Sequence, residues 1–198
     1  MPIDENMTMW ATFTDYVNIY SVVGGLAVVL LTLVHGLTFI GLRTTGPVHT
    51  RALALLNKVY IALFAGLVVF AVLTYFNTDL FTVRPVATPV FLVCIVLAAV
   101  LGFIFANKGK EGWAFTMSGL TIVLTVAMLF VGLFPRVMIS SIDPAFNLTI
   151  DNAASGQYTL SLMTKISLTL LPFVLGYQIW SYYIFRKRIS HKDTVNYK

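Results

Sequence analysis

The sequence predicts an all-α, polytopic transmembrane helix bundle of five spans, and three observations lead there. The chain of 198 residues is 58% hydrophobic and 11% charged, against about 25% charged residues in an average soluble domain. A water-soluble fold of this size cannot bury so much apolar surface, so lipid is the solvent for most of the chain. Five apolar runs, at residues 19–42, 59–76, 86–105, 113–134 and 160–185, approach the roughly 20 residues that cross a hydrocarbon core. They leave no room for a soluble domain, and residues 1–198 read as one membrane domain. The charges then alternate from loop to loop.

Arg43, Arg51, Lys58, Lys108, Lys110, Arg186, Lys187, Arg188, Lys192 and Lys198 fall on one side, while Arg84 and Arg136 are the basic residues in loops on the other. The positive-inside rule therefore places the N-terminus outside and the C-terminus in the cytoplasm. Acidic residues agree, with Asp4, Glu5, Asp15, Asp79, Asp143 and Asp151 outside and Glu111 and Asp193 inside. The net charge of +5 thus belongs to membrane loops, and no nucleic-acid partner is expected. The acidic N-terminus lacks the basic start of a secretory signal, which leaves the first span to direct insertion.

The first span carries His35, the one histidine in an apolar run. As neutral imidazole it can ligate haem iron or relay a proton. A bis-histidine haem needs a second such residue, so ligation would have to draw on Met117, Met128 or Met163 or come from one side. Intramembrane polar groups normally pair within the bundle, which makes His35 read as a hydrogen-bonded packing histidine facing other helices.

The third span holds Cys94, the single cysteine, which excludes an internal disulfide and cysteine-based metal sites. No span contains Asp or Glu, so the carboxylate expected of a proton- or cation-coupled carrier is missing. The fourth span opens with Trp113 at the inner interface, where tryptophan anchors. Its Thr116, Ser118, Gly119, Thr121 and Thr125 permit close helix approach and weak interhelical hydrogen bonds.

That span runs into Leu133-Phe-Pro-Arg-Val-Met-Ile-Ser-Ser141. Pro135 stops the helix, Arg136 is placed to bond freed carbonyls or lipid phosphates, and the Ser140-Ser141 loop turns the chain toward the last span. Arg136 reads equally as an anchor and as a subunit contact. The fifth span is entered past Asp151 and anchored by Tyr158 outside and by Trp180, Tyr182 and Tyr183 inside. Lys165, about two turns in, can snorkel outward, and Pro172 should kink the helix and free the carbonyl of Leu168.

At Leu133–Ser141 the sequence resembles subunit II of the cytochrome bd-type quinol oxidases. The likeness continues in Trp113-Ala-Phe-Thr-Met-Ser-Gly-Leu-Thr-Ile122, in Asp151-Asn-Ala-Ala-Ser155 with Tyr158-Thr-Leu160 and Met163-Thr164, and in Phe185-Arg-Lys-Arg-Ile189. It is found earlier in His35-Gly36 and Leu42-Arg-Thr-Thr-Gly46. The family usually has proline where this chain has Ile139. The resemblance implies the last five of eight family spans, with Met1 inside the family's reading frame.

It further implies a cell-membrane protein of the aerobic respiratory chain, the non-catalytic partner of a haem-bearing subunit I. Two b-type haems and one d-type haem belong to that subunit, quinol is the substrate of the complex, and this chain is left to shield haem and contact lipid. A quinone between its helices is compatible with the family, with no residue assigned to it. Two other classes stand beside this reading: a stand-alone channel or carrier, for which Pro172 and His35 are the cavity-capable features, and a truncated remnant without function.

Overall fold

The computed structural model of the protein describes residues 1–187. Arg188, Ile189, Lys192, Asp193 and Lys198, which entered the charge pattern and the final stretch of resemblance, lie outside the described residues. Five helices are long and apolar enough to cross a membrane: α2 (Ile19–Arg43), α3 (Pro47–Asn77), α5 (Ala87–Asn107), α6 (Glu111–Leu133) and α7 (Gln157–Ile184). Two single-turn helices, α1 (Phe13–Tyr16) and α4 (Leu80–Val83), sit at one end of the bundle. With them lies an antiparallel ribbon of β1 (Arg136–Met138) and β2 (Leu148–Thr149). Hydropathy gave no sign of the ribbon, because strands this short leave no periodic signal.

Local chemistry sets the helix ends. Asn18 caps α2, its side chain accepting from the Ser21 amide while the Ser21 hydroxyl accepts from the Asn18 amide, both at 2.9 Å. After α2 the chain turns through Gly46, whose φ of 74° suits glycine, into Pro47 at the first helical position of α3. That pairing starts α3 at Pro47 instead of at Val59, where the apolar run begins. Its 31 residues correspond to about 46 Å of helix, well beyond the ~30 Å hydrocarbon core. Apolar runs report immersion in lipid, whereas a helix continues until its caps end it, so His49, Arg51 and Lys58 are helical residues of an extension whose inner face, at Ala52 and Leu56, is buried.

α2 and α3 form one antiparallel pair, α5 and α6 another, and α2 also packs on α6. The main apolar cluster joins Leu31, Val34 and Leu37 of α2 to Leu56, Tyr60 and Leu63 of α3, with Ala106 and Ala114 closing it. α5 and α6 approach through small residues, Ala98, Ala99 and Gly102 against Ala114, Ser118 and Thr121, all buried. In lipid such close contact substitutes dispersion for the hydrophobic effect that drives packing in water. α7 stands apart. Every residue from Gln157 to Trp180 is exposed, and α7 meets α2 near its far end, where the Phe39 and Tyr182 rings lie edge to face at 6.4 Å.

Candidate functional site

Two polar constellations interrupt the apolar bundle. The first lies on the α2–α6 seam. His35 Nδ1 is 2.9 Å from Ser118 Oγ, and its ring stacks on Phe115 with centroids 4.4 Å apart. Thr38 donates to the His35 carbonyl at 2.8 Å and lies 3.1 Å from the Ser118 hydroxyl. Helical spacing explains the set: His35 and Thr38 are three apart on α2, Phe115 and Ser118 three apart on α6, so two neighbouring faces meet. Gly119 completes the fit, since a Cβ there would sit 3.4 Å from His35 Cε1.

The hydroxyls of α6 divide unequally. Thr116, Thr121 and Thr125 each donate to the carbonyl four residues back in their own helix. Ser118 is the one of this group that reaches across to α2. The sequence expectation of several interhelical bonds is therefore corrected, because a threonine hydroxyl on a helix can satisfy itself locally.

With Nδ1 engaged, His35 could meet an iron only through Nε2, and the methionines considered as second ligands pack elsewhere. Phe115 covers one face of the imidazole and Ser118 holds Nδ1. Of the methionines considered as second ligands, Met117 packs toward Gly102 on α5. Met128 lines an apolar cavity of about 30 Å³ with Leu67 and Ile95, and Met163 is exposed on α7. None of them faces His35.

The second constellation caps the end of the bundle that carries the acidic loops. Arg136 donates to both carboxylate oxygens of Asp79, at 2.5 and 3.1 Å. These bonds hold the Asp79 carboxyl below its ordinary value, against a smaller opposing effect of burial. The bond to a freed helix carbonyl expected of Arg136 is made instead by Arg84, whose Nη2 donates to the Phe134 carbonyl at 2.9 Å. Ser140 is buried; its amide donates to Asn147 Oδ1 at 2.8 Å and its hydroxyl to the Ile3 carbonyl at 2.9 Å. The Ser141 amide donates to the Met1 carbonyl at 2.8 Å. Pro135 is bound through its own carbonyl, which accepts from the Ile150 amide at 3.0 Å.

Pro135, Arg136, Ser140 and Ser141 thus converge on one cap, and His35 lies apart within the membrane. Trp113 sits exposed in the first turn of α6 at the opposite end, its ring 6.0 Å from Phe105. Asp151 and Tyr158 are exposed, and α7 continues as helix across Pro172; these three join neither constellation. Sequence reading missed Asp79, Arg84 and Thr38 as partners. It also missed His49 Nε2, which lies 2.5 Å from Glu111 Oε1 and ties the starts of α3 and α6 together. Opposite charges on one side of the membrane were the available signal, with Asp79 facing just two loop cations.

Among the described residues no cluster of His, Cys, Asp and Glu is placed to hold a metal. Fold and polar groups together define a multi-pass membrane protein whose described polar contacts join helix to helix and loop to loop. Residues 1–185 match the model of the cytochrome bd terminal oxidase subunit II family, and the chain belongs to that family. It is 48% identical over 197 residues to cytochrome bd ubiquinol oxidase subunit 2 of Bacillus subtilis, covering 100% of this chain and 58% of that protein. It is 27% identical over 225 residues to cytochrome bd-I ubiquinol oxidase subunit 2 of Escherichia coli K12, covering 96% of this chain and 59% of the relative. The chain therefore spans less than two thirds of the length of these relatives.

Proposed function

We propose that this chain is the non-haem, structural subunit of a quinol:oxygen oxidoreductase of the aerobic respiratory chain, working beside a haem-bearing subunit I. Family membership supports the class of complex. The observation that carries the structural role is α7. It is the least apolar of the five membrane helices, carries Ser161, Lys165, Thr169 and Gln178, and is exposed from Gln157 to Trp180. A helix of that composition is costly to leave facing lipid on all sides, and a partner's transmembrane helices would relieve the cost. The assignment of two b-type haems and one d-type haem to the partner rests on the resemblance to the family. Orientation, with the basic end in the cytoplasm, rests on the charge pattern.

The same chain standing alone as a channel or carrier finds less support. The cavity lined by Leu67, Phe70, Ala71, Leu92, Thr125 and Met128 is largely apolar and about 30 Å³, room for roughly one water with few polar partners to hold it. The deciding experiment is a reduced-minus-oxidised absorbance spectrum of the tagged protein purified in mild detergent from its native membrane. Haem bands with a second, larger polypeptide are the expected result. A colourless, solitary chain would overturn the assignment.

A further inference from the structure

Among the described residues, the basic end of the bundle holds two guanidinium groups with no carboxylate partner. Arg43, the last residue of α2, donates through Nη1 to the backbone carbonyl of Arg186, just beyond the end of α7. Its Nε is buried and has no hydrogen-bond partner among the described residues. Arg186 lays its own guanidinium over the Tyr183 ring, 4.0 Å from the centroid, and Arg43 lies 5.7 Å from the centroid of Phe39. The described ion pairs, His49 with Glu111 and Arg136 with Asp79, involve neither arginine.

The shape around these groups is as specific as their charge. α2 and α7 come together where Phe39 meets Tyr182, and away from that contact α7 is uncovered up to Gln157. The uncovered length of α7 therefore runs down to a base made of the two arginines and the rings of Phe39 and Tyr183 that they lie beside. A water-soluble anion could use the base alone. A ligand with an anionic phosphodiester and acyl chains would use both parts, its phosphate oxygens accepting from the guanidinium forks and its chains lying along α7. Basic pockets between membrane helices at the cytoplasmic leaflet are suited to such headgroups. A zwitterionic lipid would bring its own cation against the arginines.

We propose that the junction of α2 and α7 is a binding site for an anionic phospholipid, its headgroup held by Arg43 and Arg186 and its chains lying along the exposed α7. The test is native mass spectrometry of the full chain in detergent, titrated separately with phosphatidylglycerol, phosphatidylcholine and inorganic phosphate. The wild-type chain is expected to bind phosphatidylglycerol about fivefold or more tightly than phosphatidylcholine, with phosphate at millimolar concentration not displacing it. The preference should fall about fivefold in R43Q/R186Q and survive in R51Q/K58Q, which removes two exposed cations elsewhere at the same end. Should R43Q/R186Q not fold, R43K/R186K keeps the charge, loses the fork, and should still bind phosphatidylglycerol more weakly than wild type. Equal binding of the two lipids, displacement by inorganic phosphate, or a preference unchanged in the arginine variants would each overturn the proposal.

Discussion

Tyr60 and Gly102 give the sharpest test of how this bundle is packed. Tyr60 is fully buried, enclosed by Phe64 and Phe103 at centroid distances of 5.9 and 5.3 Å, and its hydroxyl has no hydrogen-bond partner among the described residues. A Cβ built on Gly102 would stand 2.7 Å from that hydroxyl oxygen and 3.4 Å from Met117 Cβ. An ordinary carbon-to-oxygen contact is about 3.3 Å or longer, and a ring held on both faces cannot retreat by the difference without disturbing its neighbours. Gly102→Ala should then cost about 1–3 kcal/mol by overpacking, partly offset by roughly 1 kcal/mol of helix propensity. Tyr60→Phe removes both the clash and the unpaired hydroxyl, and alone should stabilise by about 1 kcal/mol. In the double variant the alanine finds room, so the two changes should couple by at least about 1 kcal/mol. Reversible unfolding of the full chain in mixed micelles titrated with dodecyl sulfate reads all four corners of the cycle. Gly25→Ala, with open space around the new Cβ, serves as the unclashed control. If Gly102→Ala matches that control, or the two changes add within about 0.5 kcal/mol, the packing described for α3, α5 and α6 is wrong.

Three further outcomes are expected. Asp79→Asn or Arg136→Ala should loosen the cap by about 1 kcal/mol, a modest figure because the Asp79 side chain is 41% exposed, and should speed hydrogen exchange at the amides of Ser140 and Ile150. Because the folded-state value of Asp79 is depressed, this stabilisation is present above its unfolded pKa of about 3.9 and is lost as pH falls through the lower folded value. The wild-type cap should therefore soften below about pH 4 while Asp79→Asn, already without the pair, changes less at that residue; equal pH responses would refute the pairing. Ser118→Ala should lower stability by about 0.6 kcal/mol, up to about 1.7, and His35→Ala by more because the stack on Phe115 goes too. Both should leave the haem spectrum of the purified assembly unaltered, and loss of one haem band with assembly intact would show His35 to be a ligand.

How far the sequence could be read depended on the range of the forces involved. Lipid immersion acts on every residue of a span, so composition alone exposes it, and each of the five apolar runs lies inside a helix or passes one of its ends by a single residue. Helix ends are another matter: Gly46 and Pro47 start α3 by backbone geometry, a two-residue signal that a hydropathy window averages away. Pairings lie further still from view. Arg136 could be singled out because it follows Pro135 at the end of an apolar run, but its partner Asp79 stands 57 positions earlier and is recognisable only once α3 and α6 are known to end side by side. For His35 the sequence shows an imidazole in want of a partner in lipid. Ser118, Thr116, Thr121 and Thr125 were equivalent candidates until helix rotation turned one of them toward α2.

The same physics separates the two ends of the molecule. At the acidic end, Arg136 meets Asp79, Arg84 meets the Phe134 carbonyl, and the buried Ser140 hydroxyl meets the Ile3 carbonyl. At the basic end Arg43 and Arg186 find, among the described residues, a carbonyl and aromatic faces but no carboxylate. A guanidinium beside lipid headgroups would not need a protein carboxylate, because phosphate can supply the anion; Arg136, in a loop among few cations and several acids, finds one from its own chain. The acidic cap is thus closed by contacts within the chain, while the described contacts at the α2–α7 end leave Arg43 Nε without a partner. That asymmetry, together with an uncovered α7, makes α7 and its basic end the part of the fold with the fewest stabilising contacts from the described chain itself.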